Sequence, residues 1–103
     1  MKPLAKEYRK NGYDYKLVRR TAYAAMFSQH DEDGRFVSYE VGRVKSDNGG
    51  TFAGLTIEPG ERFWSNEDFG VIAKTTASEV QAEIYFNQFH EAGVEAANNT
   101  PAK

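Results

Sequence analysis

Between Tyr13 and Glu58 the side chains alternate in polarity, and turn residues break the alternation at short intervals. That pattern confines this part of the chain to strands joined by tight turns, because a strand sends successive side chains to opposite faces. In YDYKLVRR (13–20), Tyr13, Tyr15 and Leu17 share a face opposite Asp14 and Lys16. Tyr23, Ala25 and Phe27 alternate likewise, after a tight link without Gly. HDEDG (30–34) is a turn signal. RFVSYEVGRVK (35–45) is the clearest strand, with Val37, Tyr39 and Val41 on one face and Ser38 and Glu40 on the other. SDNGG (46–50) contains Asn-Gly, whose residues accept positive φ readily, and predicts a hairpin turn. TFAGLTIE (51–58) then returns as a fourth strand with Gly54 at a bulge, and Pro59-Gly60 turns the chain again.

The later part of the chain changes period. VIAKT (71–75) reads as a fifth short strand. TASE (76–79) is a capping-box pattern, with Thr76 as the cap, and predicts a helix over 77–92 stopped by Gly93. Ala82, Tyr85, Phe86 and Phe89 form one apolar stripe, while Ala77, Val80 and Ile84 lie nearly opposite. The aromatic stripe buries more area, so it is expected to cover the sheet. The Val80 and Ile84 face is then either overlaid by the N-terminal residues or a loop, or free as a contact surface for a partner or a second copy. The expected fold is α+β, an antiparallel meander of four or five strands with one C-terminal helix packed on the sheet. Residues 1–12 are polar and read as an arm or short turn, 13–93 as a single domain, and 94–103 as a flexible tail.

Composition removes whole classes of chemistry. The chain has no Cys, so thiol nucleophiles, disulfides and Cys–zinc sites are excluded. A net charge of −2 provides no global field for a polyanion. No apolar run approaches the length of a membrane span and the N-terminus lacks an export pattern, so a cytoplasmic protein without a membrane partner is expected. His30, Asp31, Asp33 and the distant His90 match neither calcium nor zinc spacing, and no metal or cofactor is expected. No Ser stands in a G-x-S-x-G pattern, Ser28 and His30 share a strand face without a third member, and DNGGTFAG lacks the Lys-Ser/Thr of a phosphate loop. The chain is therefore read as non-enzymatic.

ERFWSNEDFG (61–70) looks like the densest chemistry. SNED is a capping pattern, in which Ser65 caps one helical turn, the acids favour its positive end and Gly70 lets the chain leave. Glu67 and Asp68 are adjacent and so diverge by about 100° on a helical turn, which does not suit paired acid–base work. Phe63 or Trp64, with Phe69, anchors the turn. Trp64 facing outward would be an aromatic anchor for a partner beside Val80 and Ile84. A second surface is basic: Arg19, Arg20, Arg43 and Lys45, with Lys16 and several Tyr nearby, would serve a nucleic-acid-binding module.

The order Y-x-Y-K-L-V-x-R, Y-E-V-x-x-V, R-F-x-S-N-E-D-F-G and a helix with A-x-x-x-F is carried here by 13–20, 39–44, 62–70 and Ala82 with Phe86. It resembles small proteins of bacteriophages and related mobile elements. The resemblance implies a setting more than a mechanism; the function expected in that setting is a non-enzymatic protein that binds a host macromolecule, with inhibition of a defence or replication protein as one form of it. It supplies no catalytic residues. A weaker likeness is to WGR domains, through 39–44 and Gly49-Gly50, with Val41 where the pattern has Trp. That likeness implies a nucleic-acid or partner contact at Arg43.

Overall fold

The computed structural model describes residues 2–47, 49–52, 54–57 and 59–98. Among these residues, nine strands run in chain order: β1 (Glu7–Lys10), β2 (Tyr13–Arg20), β3 (Ala24–His30), β4 (Phe36–Arg43), β5 (Lys45–Asp47), β6 (Gly50–Phe52), β7 (Leu55–Ile57), β8 (Gly60–Arg62) and β9 (Ala73–Thr76). A single 3-10 turn spans Asn66–Asp68, and one helix, α1, spans Glu79–Asn98. The main sheet is antiparallel in the order β1-β2-β3-β4-β9, and α1 packs on it. The α+β meander with one C-terminal helix is therefore the architecture of this chain.

The turns follow from their residues. Asn11 and Gly12 both take positive φ, 56° and 84°, which suits the two-residue hairpin between β1 and β2. Between β2 and β3, where Gly is absent, Thr21 Oγ1 accepts from the backbone N–H groups of Tyr23 and Ala24 and takes over the work of a turn glycine. Asp31 Oδ1 accepts from Asp33 and Arg35 N–H, and Gly34 takes φ 79°, so HDEDG turns as expected.

The N-terminal residues differ from the expected loose arm. Residues 7–10 are an edge strand, Leu4 is buried, and Lys2 bridges Gly60. The Asn-Gly pair at 11–12 forces the reversal that lays β1 on β2. The 51–58 segment is not one strand. It folds on itself as β6 and β7, with Gly54 at φ 81°, while β5 pairs β8 closer to the body. Asn48, on which the expected SDNGG turn rests, lies outside the described residues. The place beside β4 is taken by β9, the short fifth strand expected over 71–75, which can pair there because Gly42 has no side chain. A Cβ there would sit 2.5 Å from Ile72 O and 2.9 Å from Ala73 Cβ.

The helix starts two residues later than expected and runs beyond its expected end. Ser78, not Thr76, is the cap: its Oγ accepts from Gln81 N–H at 3.2 Å, while Thr76 Oγ1 accepts from Ser78 N–H. Gly93 does not stop the helix, which continues to Asn98 through part of the expected tail. Residues 99–103 lie outside the described residues. Gly93 is buried and lets Tyr23 approach, since a Cβ at this position would overlap the Tyr23 side chain.

Both faces of the sheet are covered. On the helix side, Ala24, Met26 and Val41 pack with Ala82 and Phe86, flanked by Tyr39, Tyr85 and Phe89. The aromatic stripe of the helix covers the sheet as expected. On the other side, Tyr15, Ala25, Phe27 and Ala73 pack with Leu4 and Trp64, flanked by Tyr8, Phe63 and Phe69. This second layer was not anticipated, so Ser38 and Glu40, which point into it, are buried.

Candidate functional site

The outer face of α1 carries an exposed apolar pair, while Tyr13, Val18, Phe36, Val37 and Val71 are exposed elsewhere. Val80 is 73% and Ile84 44% exposed, and as i and i+4 they stand on one stripe. The N-terminal strand lies at the opposite end of the sheet order from β9 and does not overlay them. Glu91 and Glu95 continue the same stripe toward the C-terminus, by their spacing of seven and four from Ile84 and Glu91. The helix carries four Glu and neither Lys nor Arg over its twenty residues. Two local rules are broken here: like charges face each other at i and i+4, and acids sit near the negative end of the helix dipole. This outer stripe is thus an apolar start and an acidic end, held against the helix's own preferences.

Trp64 is 2% exposed. Its Nε1–H donates to Arg43 O at 2.8 Å, and its ring meets Phe27 edge-on. It is a core residue with a satisfied polar tip, and its expected role as an outward anchor is corrected accordingly. The turn it leads into follows the capping logic. Asp68 Oδ2 accepts from Ser65 N–H at 2.8 Å and Ser65 Oγ–H at 3.1 Å, and Gly70 leaves at φ 88°. Lys45 Nζ donates to the same oxygen at 2.9 Å and, with the Ser65 N–H, holds the Asp68 carboxyl below its ordinary value. Glu67 is exposed and does not converge with it.

The four basic residues do not form one surface. Arg19 donates to Glu83 at 2.6 Å and lies over the Phe86 ring at 4.3 Å, tying β2 to α1. Arg20 grips Glu61 through both terminal nitrogens at 2.5 and 3.0 Å. That guanidinium holds the Glu61 carboxyl below its usual range. Lys45 is taken by Asp68. Arg43 contributes its carbonyl to Trp64, and its side chain is half-buried. Arg19, Arg20 and Lys45 act as ties between elements, and a phosphate would have to displace three carboxylates to use them.

Two further groups stand out. Ser28 Oγ and His30 Nε2 lie 2.9 Å apart on β3. The cross-strand neighbour of His30 is Asp14, which pairs with Arg9 at 3.0 Å, while His30 Nδ1 is buried without a partner among the described residues. The pair therefore lacks the orienting carboxylate that a serine nucleophile needs. An open concavity of about 420 Å³ is lined by Glu7, Tyr8, Arg9, Asp14, Tyr15 and Lys16, with balanced charge. Glu40, missed by sequence reasoning, is 7% exposed, and burial pushes its carboxyl up to about 7. Its only advance sign was its place in the alternation, opposite Tyr39 and Val41.

No group of three or more metal-binding side chains occurs among the described residues, and none of their helices is long and apolar enough to cross a membrane. Comparison with family models, curated proteins and solved structures gave no match.

Proposed function

We propose that this chain is a small non-catalytic binding protein whose contact surface is the outer face of α1. The observation that carries the reading is the uncovered pair Val80 and Ile84, on a helix whose other apolar stripe packs on the core. The surface pairs an apolar centre with Glu91 and Glu95, so the complementary partner is a protein presenting aliphatic side chains beside Lys or Arg. In the mobile-element setting that the resemblance implies, that partner is a host protein, and binding would inhibit it. A second copy of the chain is the less favoured occupant, because the acidic ends would face each other or open water, and two apolar side chains supply little of the roughly 800 Å² per partner of a stable interface.

The test is capture of host proteins by the wild-type chain and by Val80→Asp/Ile84→Asp, with partners identified by mass spectrometry. The double variant is expected to fold normally and lose one specific, salt-sensitive partner. Equal capture by both proteins would refute the assignment of the surface. Sedimentation of the chain alone reports self-association through the same face.

A further inference from the structure

The two edges of the main sheet are not alike. At the β9 edge, Gly70 N–H already donates to Ala73 O at 2.7 Å. At the other edge, β1 pairs with β2 alone among the described residues. Lys6 O accepts from Leu17 N–H at 2.8 Å, and Asn11-Gly12 closes a two-residue hairpin. Lys6, Tyr8 and Lys10 therefore turn their backbone groups toward β2, and Glu7 and Arg9 turn theirs outward. β1 carries no Pro and no bulge, two of the usual protections of an edge. A third protection is charge, and here the charges complement themselves. The register sets Glu7 beside Lys16 and Arg9 beside Asp14, and Arg9 Nη1 donates to Asp14 Oδ1 at 3.0 Å. Both Glu7 and Arg9 are exposed.

We propose that β1 pairs antiparallel with β1 of a second copy, about a two-fold axis at Tyr8, so that the main sheet continues through both molecules. Ladder bonds can be exchanged only between residues whose backbone groups face outward. A pairing centred on Glu7 or on Arg9 sets like charges against each other. The pairing centred on Tyr8 sets Glu7 of each copy against Arg9 of the other, and each such pair exchanges N–H···O bonds in both directions. Charge then alternates across the junction, from Lys16 and Glu7 of one copy to Arg9 and Asp14 of the second. This self-complementary order favours a second copy over a foreign strand. The same register brings Lys6 opposite Lys10 of the second copy, on the other face. Lys10 is turned inward, however: its Nζ donates to Trp64 O at 2.9 Å and lies 5.8 Å from the Phe63 ring centroid. The paired edge is short, so the dimer is weak and depends on concentration. It does not use the outer face of α1, which packs over β3, β4 and β9.

The test is sedimentation equilibrium of the full chain at low salt, at concentrations up to about 1 mM. The wild type and Val80→Asp/Ile84→Asp are both expected to pass from monomer to dimer, because α1 takes no part. Glu7→Arg alone and Arg9→Glu alone are each expected to weaken the dimer by about tenfold or more. An equimolar mixture of these two variants is expected to restore it, because unlike charges then meet at both positions. A wild type that stays monomeric, a dimer lost in Val80→Asp/Ile84→Asp, a dimer untouched by the charge variants, or a mixture that stays monomeric overturns the proposal. If either charge variant fails to fold, amide exchange of the wild type decides. Exchange at Glu7 and Arg9 must slow as concentration rises, while Tyr8, which faces β2, keeps its rate. No slowing, or slowing along α1 in its place, overturns the pairing.

Discussion

Glu40 makes stability depend on pH in the unusual direction for a carboxylate. Its folded value is raised, from 4.5 to about 7, so its contribution is complete below 4.5 and is lost as pH climbs through about 7. Urea unfolding is expected to show the wild type losing up to about 3 kcal/mol between mildly acidic and mildly alkaline pH. Glu40→Gln should flatten that slope. At Gly93, Ala would gain about 1 kcal/mol of helix propensity, but its methyl would overlap Tyr23, so Gly93→Ala is expected to destabilise by about 1–3 kcal/mol in thermal unfolding. Such residues mark where the sequence stops being readable. A Gly after a helical pattern looks like a stop, and only the position of Tyr23 shows that it is a point of close approach. Trp64 was undecided for the same reason, since burial depends on what the β1 and 63–69 segments cover. Asn11-Gly12, by contrast, was as clear a hairpin signal as Asn48-Gly49 and lay hidden because its flanks are polar.

Strand identity was legible wherever alternation ran for seven or eight residues, as in β2, β3 and β4. It failed for β1, an edge strand with one apolar neighbour face, and for the three-residue strands of the 45–62 ribbon, which are too short to show a period. Which strand joins β4 depended on Gly42, a fact of close backbone approach that no periodicity records. Gly42→Ala is accordingly expected to loosen β9 and the start of α1, with a loss of about 1–3 kcal/mol and faster amide exchange across Ala73–Thr76. The helix faces were legible in full. Its aromatic stripe packs on the sheet, with Ala82 and Phe86 buried and Tyr85 and Phe89 partly so, and Val80 and Ile84 remain outside. Asp at either position should change folding stability by no more than about 0.5 kcal/mol, which keeps a binding defect separable from unfolding.

At the scale of the whole molecule, one antiparallel sheet is covered by a helix on one face and by an aromatic layer around Trp64 on the other. Three basic side chains tie elements together, through Arg19–Glu83, Arg20–Glu61 and Lys45–Asp68. The proposed contact surface is the outer stripe of α1. The most direct measurement is site-specific photo-crosslinking in host extract, with the reactive side chain placed at position 84, or at Val18 or Val71, which are exposed but lie off the helix. The account predicts one dominant crosslinked protein from position 84, carrying Lys and Arg at the contact, and none in common from the other two sites. Crosslinking to a shared partner from Val18 or Val71, with position 84 silent, would contradict it.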